Sequence, residues 1–478
     1  MGEDFLYSRC FMLRNLVGDR PFYKRLFSLM IPIMIQNGIT NLVNMLDNIM
    51  IGAVGTAEMT GVAVANQLFF VFNLCIFGAV SGAGIYGAQF VGSGDMDNVR
   101  NTFRFKLLFS TLIASLGIGL FLTFGENLLS AYMKGEQGVT DPVATLNFAK
   151  DYLLIMLIGL VPFALTQCYS GTLREAGKPI LPMVAGMIAV AVNMSFNYIL
   201  IFGKFGAPRL GVQGAAIATV MSRFVELIVV SIYSHRRTEE FPFFRKVFRG
   251  FRIPKELTQK LLLKALPLMA NETLWAAGIA LVNQSYSLRS LDAMAANNIS
   301  QTFWNVFSIA FLAVGNAIAI ILGQTLGAGE LQKAKSDSYK LVAFSFVIST
   351  VVGAVYFLVA NFIPYLYNTE QEIRNLATLL MQISAIAMPF DAVAHASYFS
   401  LRSGGKMLIT IIFDSGFMWC VNVLLAFILS RFTTVSFPVM FAIIQSITLL
   451  KAVGGILLLR SDFWVKNITQ NERSERGF

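Results

Sequence analysis

Charge is scarce in this sequence. Only 13% of its 478 residues are Asp, Glu, Lys or Arg, about half of the roughly 25% expected of a soluble domain. Histidine is rarer still, with two residues, and there are four cysteines. No HExxH and no Cys/His cluster with ligand spacing occurs, so a built-in metal site is not expected. Cys10, Cys75, Cys168 and Cys420 have no paired spacing, and three of them fall inside apolar stretches, which argues against a disulfide framework. The chain has no GxxxxGK[ST] phosphate loop, so it does not draw directly on ATP. Serine-nucleophile motifs with their partners are missing as well. The reading is that the protein is not an enzyme and has no cofactor.

What is present is apolar. Hydrophobic residues make up 56% of the chain and the mean hydropathy is +0.65, the composition of a polytopic membrane protein. Twelve spans are expected, near 26–50, 62–88, 104–124, 151–172, 180–202, 213–234, 264–288, 298–323, 340–362, 375–400, 407–430 and 436–459. Residues 1–25 are polar and basic, and the apolar stretch after them is too long for a cleavable signal. The net charge of +10 raises the question of nucleic acid, but the positive charges sit in short loops between spans. The N-terminus, the even-numbered loops and the C-terminal tail carry 28 Lys and Arg, and the opposite side carries seven. By the positive-inside rule both termini are cytoplasmic, which an even number of spans requires.

The first span, LFSLMIPIMIQNGITNLVNMLDNIMIG (26–52), is polar for its class. At about 100° per residue, Gln36, Thr40, Asn44 and Asp47 share a stripe, with Asn37, Asn41 and Asn48 beside it. A carboxylate near a bilayer centre costs at least about 2.5–3.5 kcal/mol, so such groups face a bundle interior or a wet cavity. Asp47 therefore reads as part of an ion or substrate path; the alternative is that it reaches interfacial water at the end of the span. The longest basic loop, from His235 to Lys264, contains FPFFRKVFRGFR. It suits either an anionic membrane surface or a plain linker that anchors topology.

The two halves repeat. A shift of 235 carries Pro32 onto Pro267, Asn48 onto Asn283, Gln89 onto Gln324, Gly92 onto Gly327 and Gly94 onto Gly329. Further on, LREAGK (Leu173–Lys178) matches LRSGGK (Leu401–Lys406). The expected organisation is a cytoplasmic segment 1–25, an N-lobe 26–234, an inter-lobe loop 235–263, a C-lobe 264–459 and a tail 460–478. The fold class is an all-α integral membrane protein of two six-helix lobes related by a parallel pseudo-twofold repeat. Transporters commonly bind substrate between such repeats and rock one against the other.

Several pieces in order carry a family likeness. They are Pro32 with Asp47 fifteen residues later, the QFVGSGD turn, the LREAGK turn, VNMSFNYILIFG, GVQGAAIAT and LPLMANETLWAAG. Over essentially its whole length the chain resembles the multidrug and toxic compound extrusion (MATE) transporters.

Read from the residues, Asn193 and Asn197 lie one turn apart and, with Asp47 and Thr219, form an oxygen-rich pocket. Asparagines that bond between packed helices are the alternative. The resemblance implies that the first-span Asp and polar residues of spans five and six hold the coupling cation. A position that is often a second acid is Asn197 here, which leaves one formal negative charge and weakens tight Na+ binding. In the second half, Glu272 lies five residues after Pro267, with Asn283 eleven residues further along nearly the same face. Asp391, His395, Tyr398 and Arg402 share a stripe, which fits a proton relay or cation site. His395 could equally be a packing residue, and Arg402 an anchor that snorkels to the interface. The resemblance implies cation-binding acids in spans seven and ten, the places of Glu272 and Asp391. Arg223, Glu226, Asp414 and Lys451 read as groups that pair internally or sit at interfaces.

The expected function is a secondary antiporter that exports small organic cations in exchange for Na+ or H+ by alternating access. It would sit in a prokaryotic inner membrane, with lipids around it and no obligate protein partner. A flippase for lipid-linked oligosaccharide or another lipid is the alternative. The dispersed acids and amides favour cationic ligands over anionic lipid.

Overall fold

A computed structural model of the chain describes residues 16–133, 141–367 and 369–470. Cys10, the N-terminal segment before residue 16 and the tail after residue 470 lie outside the described residues. Among the described residues the regular structure is helical, without strands. The helices are α1 (Arg20–Gly52), α2 (Thr56–Ser93), α3 (Met96–Met133), α4 (Pro142–Ile158), α5 (Leu160–Glu175), α6 (Ile180–Phe202) and α7 (Val212–Arg236). They continue with α8 (Lys255–Ser287), α9 (Leu291–Phe307), α10 (Ile309–Gly327), α11 (Leu331–Val359) and α12 (Gln371–Ser403). The last two are α13 (Met407–Phe432) and α14 (Phe437–Arg460). Among the described residues eleven helices are long and apolar enough to cross a bilayer, and twelve spans result if α4 and α5 count as one bent span.

Two expected spans are interrupted. The span expected at 151–172 turns by 50° at Gly159. Pro162 has no N–H to return to the carbonyl of Ile158, so the backbone ladder is already broken there. The Gly159 carbonyl, which already accepts the Phe163 N–H at 3.1 Å, also accepts a hydrogen bond from Arg223 Nη1 at 3.3 Å. The span expected at 298–323 breaks at Ser308, whose hydroxyl donates back to the Asn305 carbonyl at 3.2 Å, a local bond that competes with the helix ladder. In α13, residues 412–416 and 418–423 are wound as π-helix. Several helices outrun their apolar stretches. α3 extends to Met96–Met133 where 104–124 was expected, because a helix satisfies its own backbone beyond the hydrocarbon as well as within it.

By its contacts the chain divides into two units that are not contiguous in sequence. One contains residues 1–34, 88–94 and 271–478, and the other contains 35–87 and 95–270. Helices α1, α2 and α8 each contribute residues to both.

In the first unit the start of α1 packs on α11: Tyr23 and Phe27 place their rings 5.8 and 5.6 Å from Phe344. Arg25 Nη2 donates to Gln324 Oε1 at 2.7 Å. The repeat appears here as a reciprocal contact. A Cβ added to Gly92 would come within 1.9 Å of the Gln324 carbonyl oxygen, and one added to Gly327 within 1.9 Å of the Gln89 carbonyl oxygen. Backbones approach this closely only where glycine faces backbone. The segment after α14 is packed onto the same region: Trp464 is fully buried, and Gln89 bonds to the backbone of Ser403, Lys466 and Ile468.

In the second unit, Gly78 and Gly82 of α2 meet the backbone of Met269 and Ala265 in α8. Lys106 is sealed from solvent and donates to both oxygens of Glu175, at 2.7 and 2.5 Å, and to Thr172 Oγ1 at 3.2 Å. Most of the FPFFRKVFRGFR aromatics turn inward. Phe241, Phe243 and Phe244 are buried, and Phe244 packs against Phe103 and Tyr169. Arg104 clamps the loop through the carbonyls of Val247, Lys246 and Arg249 at 2.7, 3.2 and 3.1 Å. Phe248 and Phe251 stay exposed, so a membrane-facing role rests on them alone.

Candidate functional site

The polar stripe of α1 meets α6 within the second unit. Asn197 Nδ2 donates to Asp47 Oδ1 at 2.6 Å and to Asn193 Oδ1 at 3.1 Å, and Asn193 Nδ2 donates to Thr219 Oγ1 at 3.2 Å. Four residues from α1, α6 and α7, separated by up to 172 positions, thus form one hydrogen-bonded row. The helical period places Asn193 and Asn197 on one face, and α6 buries that face. Asp47 is half-buried, whereas Asn197 is fully buried. Asn197 Oδ1 is enclosed and accepts no hydrogen bond among the described residues. A buried acceptor of this kind fits water, or a cation that several oxygens coordinate together. The sequence did not single out two further neighbours: Tyr152 of α4 lies within interaction range of Thr219 and of Asn66 of α2. Neither has a partner at helical spacing that would have marked it.

Farther along α1, Gln36 Oε1 accepts from Arg174 Nη2 at 2.8 Å, and Gln36 Nε2 donates to the Pro182 carbonyl at 3.4 Å. Arg174 and Arg223 lie within electrostatic reach of Glu226, which neutralises part of their charge in the apolar bundle.

A second network occupies the first unit. The Tyr398 hydroxyl donates to Glu272 Oε1 at 3.0 Å. Asn271 Nδ2 donates to Tyr398 OH at 3.2 Å and to Asp414 Oδ2 at 3.0 Å. Ser415 Oγ is 2.7 Å from Asn271 Oδ1. Lys451 Nζ closes the row on Asp414 Oδ1 at 2.8 Å. Asp391 lies near Thr448 and within electrostatic reach of Lys451.

Of the residues expected in this half, Glu272 and Tyr398 are joined directly, and Asp391 adjoins the same lysine. Asn283 is exposed and not part of the row. His395 sits among rings, with Phe399 and Phe311 at 4.9 and 5.9 Å and Gly315 beneath it. Arg402 does not snorkel. It is 3% exposed, and its guanidinium lies 5.2 Å from the Phe399 ring, because the turn after α12 folds under Trp464. Asn271, Ser415 and Lys451 become members only through tertiary contact, although Asn271 stands beside Glu272 in the LPLMANETLWAAG run. Among the described residues no three His, Cys, Asp or Glu side chains gather as a metal site.

Long apolar helices with two internal rows of carboxylates and amides are the features of a polytopic membrane protein whose polar groups bond to one another inside the helix bundle. The MatE family profile matches residues 32–199 and 268–428. Over 417 residues the chain is 26% identical to the probable multidrug resistance protein NorM of Thermotoga maritima, covering 86% of each chain. It is 27% identical over 375 residues to the multidrug resistance protein MdtK of Yersinia pseudotuberculosis, covering 77% of this chain and 79% of that one. Its fold superposes on the outward-facing conformation of a multidrug resistance MATE family transporter of the MOP superfamily. The TM-score is 0.82 at 19% identity, over 94% of this chain and 96% of the other. A mutant of the Vibrio cholerae MATE transporter VcmN gives a TM-score of 0.78 at 17% identity, over 92% and 96%. The chain belongs to the MATE family, and it is a multi-pass membrane protein.

Proposed function

We propose that this protein is a secondary antiporter of the inner membrane that exports small organic cations in exchange for inward Na+ or H+. The observation that carries the reading is the row Asp47–Asn197–Asn193–Thr219. It presents one half-buried carboxylate and a set of neutral oxygens inside the helix bundle, the chemistry a monovalent cation or a proton requires. The multidrug resistance names of its relatives support the direction of transport.

Asp47 is the coupling acid in this reading. With no ion bound, its Oδ1 accepts from the Asn197 amide and so ties α1 to α6. A proton or Na+ arriving at Asp47 competes with that amide. Asn197 can then turn its oxygen towards Na+, or give up the bond when the acid is neutral. Either event changes the α1–α6 contact, a local charge change acting on helix packing. Coupling requires only that the ion prefer one of the two access states and the substrate the other. Glu272 and Asp391 supply negative charge for the organic cation, with Tyr398 orienting Glu272.

The test is efflux of a fluorescent organic cation from proteoliposomes under separately imposed Na+ and pH gradients. Gradient-driven export is expected under at least one of them, and Asp47→Asn should lower it at least tenfold while the purified variant stays monodisperse. Undiminished export by Asp47→Asn would remove Asp47 from the coupling role. No movement under either gradient, in folded protein, would bring a lipid substrate to the front.

A further inference from the structure

Lys451 stands at a site whose chemistry is that of an organic-cation receptor. Its Nζ is 2.8 Å from Asp414 Oδ1, and it lies 5.5 Å from the centroid of the Phe413 ring and 5.8 Å from that of Phe417. A carboxylate flanked by two aromatic faces attracts ammonium-type cations through charge and ring quadrupole together. Phe413 and Asp414 lie in the first π-wound stretch of α13, and Phe417 joins it to the second. This conformation recurs at functional positions inside α-helices.

The other lysine inside the bundle shows what a permanent pair looks like here. Lys106 is 0% exposed and has Thr172 and both Glu175 oxygens around it. Lys451 and Asp414 are 17% and 14% exposed, and the ammonium reaches Asp414 through one oxygen. Its remaining face is turned to rings, which a larger apolar cation can cover equally well.

The repeat supplies a second contrast. A shift of 228, which carries Leu173–Lys178 onto Leu401–Lys406, also carries Arg223 onto Lys451, Gly186 onto Asp414 and Glu226 onto Gly454. In the first half an acid within electrostatic reach of the cation, Glu226, is on its own helix, three residues away, and is shared with Arg174. In the second half the acid has moved to the neighbouring helix, where it is also held by Asn271 and so connected to Tyr398 and Glu272. Neutralising the cation did not require that move, and joining it to the substrate acids did.

We infer that Asp414, Phe413 and Phe417 form a binding site for an organic cation, and that Lys451 is a tethered cation that occupies the site until substrate displaces it. The inference rests on the organic-cation reading given above. Large, weakly hydrated cations are the fitting class. Na+ gains little from rings and takes oxygens in preference. Asp391, Glu272 and Arg402 are the other charged groups near the displaced lysine, and Asp391 is the acid it would turn to.

The experiment uses the full chain in nanodiscs with radiolabelled tetraphenylphosphonium as the probe, at fixed pH and salt. Lys451→Gln removes the competitor and keeps the acid and rings, so binding should tighten about tenfold. Asp414→Asn leaves the ammonium unneutralised and should weaken binding at least tenfold. The double variant should return to within about threefold of the original protein. In the unsubstituted protein, saturating tetraphenylphosphonium should raise modification of Lys451 by an amine reagent severalfold, read by mass spectrometry. That measurement decides the matter if the variants do not fold. Unchanged or weaker binding by folded Lys451→Gln, or unchanged or lower labelling of Lys451 when the probe is bound, overturns the inference. If the unsubstituted protein exports the probe while Lys451→Gln binds no better, this inference fails and the organic-cation reading stands. If neither protein binds it, the organic-cation reading fails too.

Discussion

Lys106 and Glu175 show how a charged residue is tolerated inside a bundle of apolar helices. The pair is closed on itself, and Gly84 and Gly87 leave room for the carboxylate: a Cβ at either would lie 2.3 or 2.1 Å from a Glu175 oxygen. Removing one partner strands the other in low dielectric, which costs about 3–5 kcal/mol, whereas removing both is close to neutral. Lys106→Met should therefore lower the midpoint of thermal unfolding in detergent clearly, and Lys106→Met with Glu175→Leu should recover most of the loss. Asp47 differs in kind. Its partner is an amide and not a cation, so Asp47→Asn is expected to keep stability within about 1 kcal/mol of the original, the usual net worth of a hydrogen bond, while coupled efflux is lost. Comparing unfolding midpoint with efflux in the same preparation separates the two behaviours.

At the scale of helices, glycine decides where backbones cross. Gly92 and Gly327 are equivalent under the repeat, and each faces the other helix's carbonyl at Gln324 or Gln89. Gly92→Ala and Gly327→Ala should each destabilise by roughly 1–3 kcal/mol, the usual cost of overpacking, seen as a lower unfolding midpoint. Gly119, which has nothing within 4 Å of an added Cβ, is the control: Gly119→Ala should leave the midpoint unchanged or raise it slightly, since alanine favours helix. The bend between α4 and α5 also belongs here. At its break the Gly159 carbonyl accepts from Arg223 as well as from Phe163 N–H, and the Arg223 guanidinium lies 5.0 Å from the Phe163 ring just past the break.

For the whole molecule, the distribution of Lys and Arg predicts a topology. With both termini cytoplasmic, the residues joining α6 to α7 face outward and those joining α7 to α8 face inward. In a background with Cys10, Cys75, Cys168 and Cys420 replaced by serine, Lys204→Cys should react with an impermeant maleimide in intact cells. Arg252→Cys should react only after the membrane is opened. Reaction of Arg252→Cys from outside would reverse the orientation. The packing of Phe241, Phe243 and Phe244 beneath Arg104 gives this loop a fixed seat in its unit, so its labelling at exposed Arg252 reads topology and not disorder.

Hydropathy and the 235-residue shift were enough to read the all-helical membrane class, the spans and the internal repeat, because burial in lipid acts on long uniform stretches. Helical period placed Asn193 with Asn197, the cost of a charge in the bilayer singled out Asp47, and the family resemblance pointed to Glu272 and Asp391. Local sequence carries no information on which distant helix answers a polar group. The bonds from Asn197 to Asp47, from Asn271 to Asp414 and from Lys451 to Asp414 link positions 37 to 150 residues apart, and only tertiary packing could make them. The same packing buried Arg402 and placed His395 among rings. In each case the deciding term was the contact available to a side chain or carbonyl once the helices had met, which composition and periodicity do not contain.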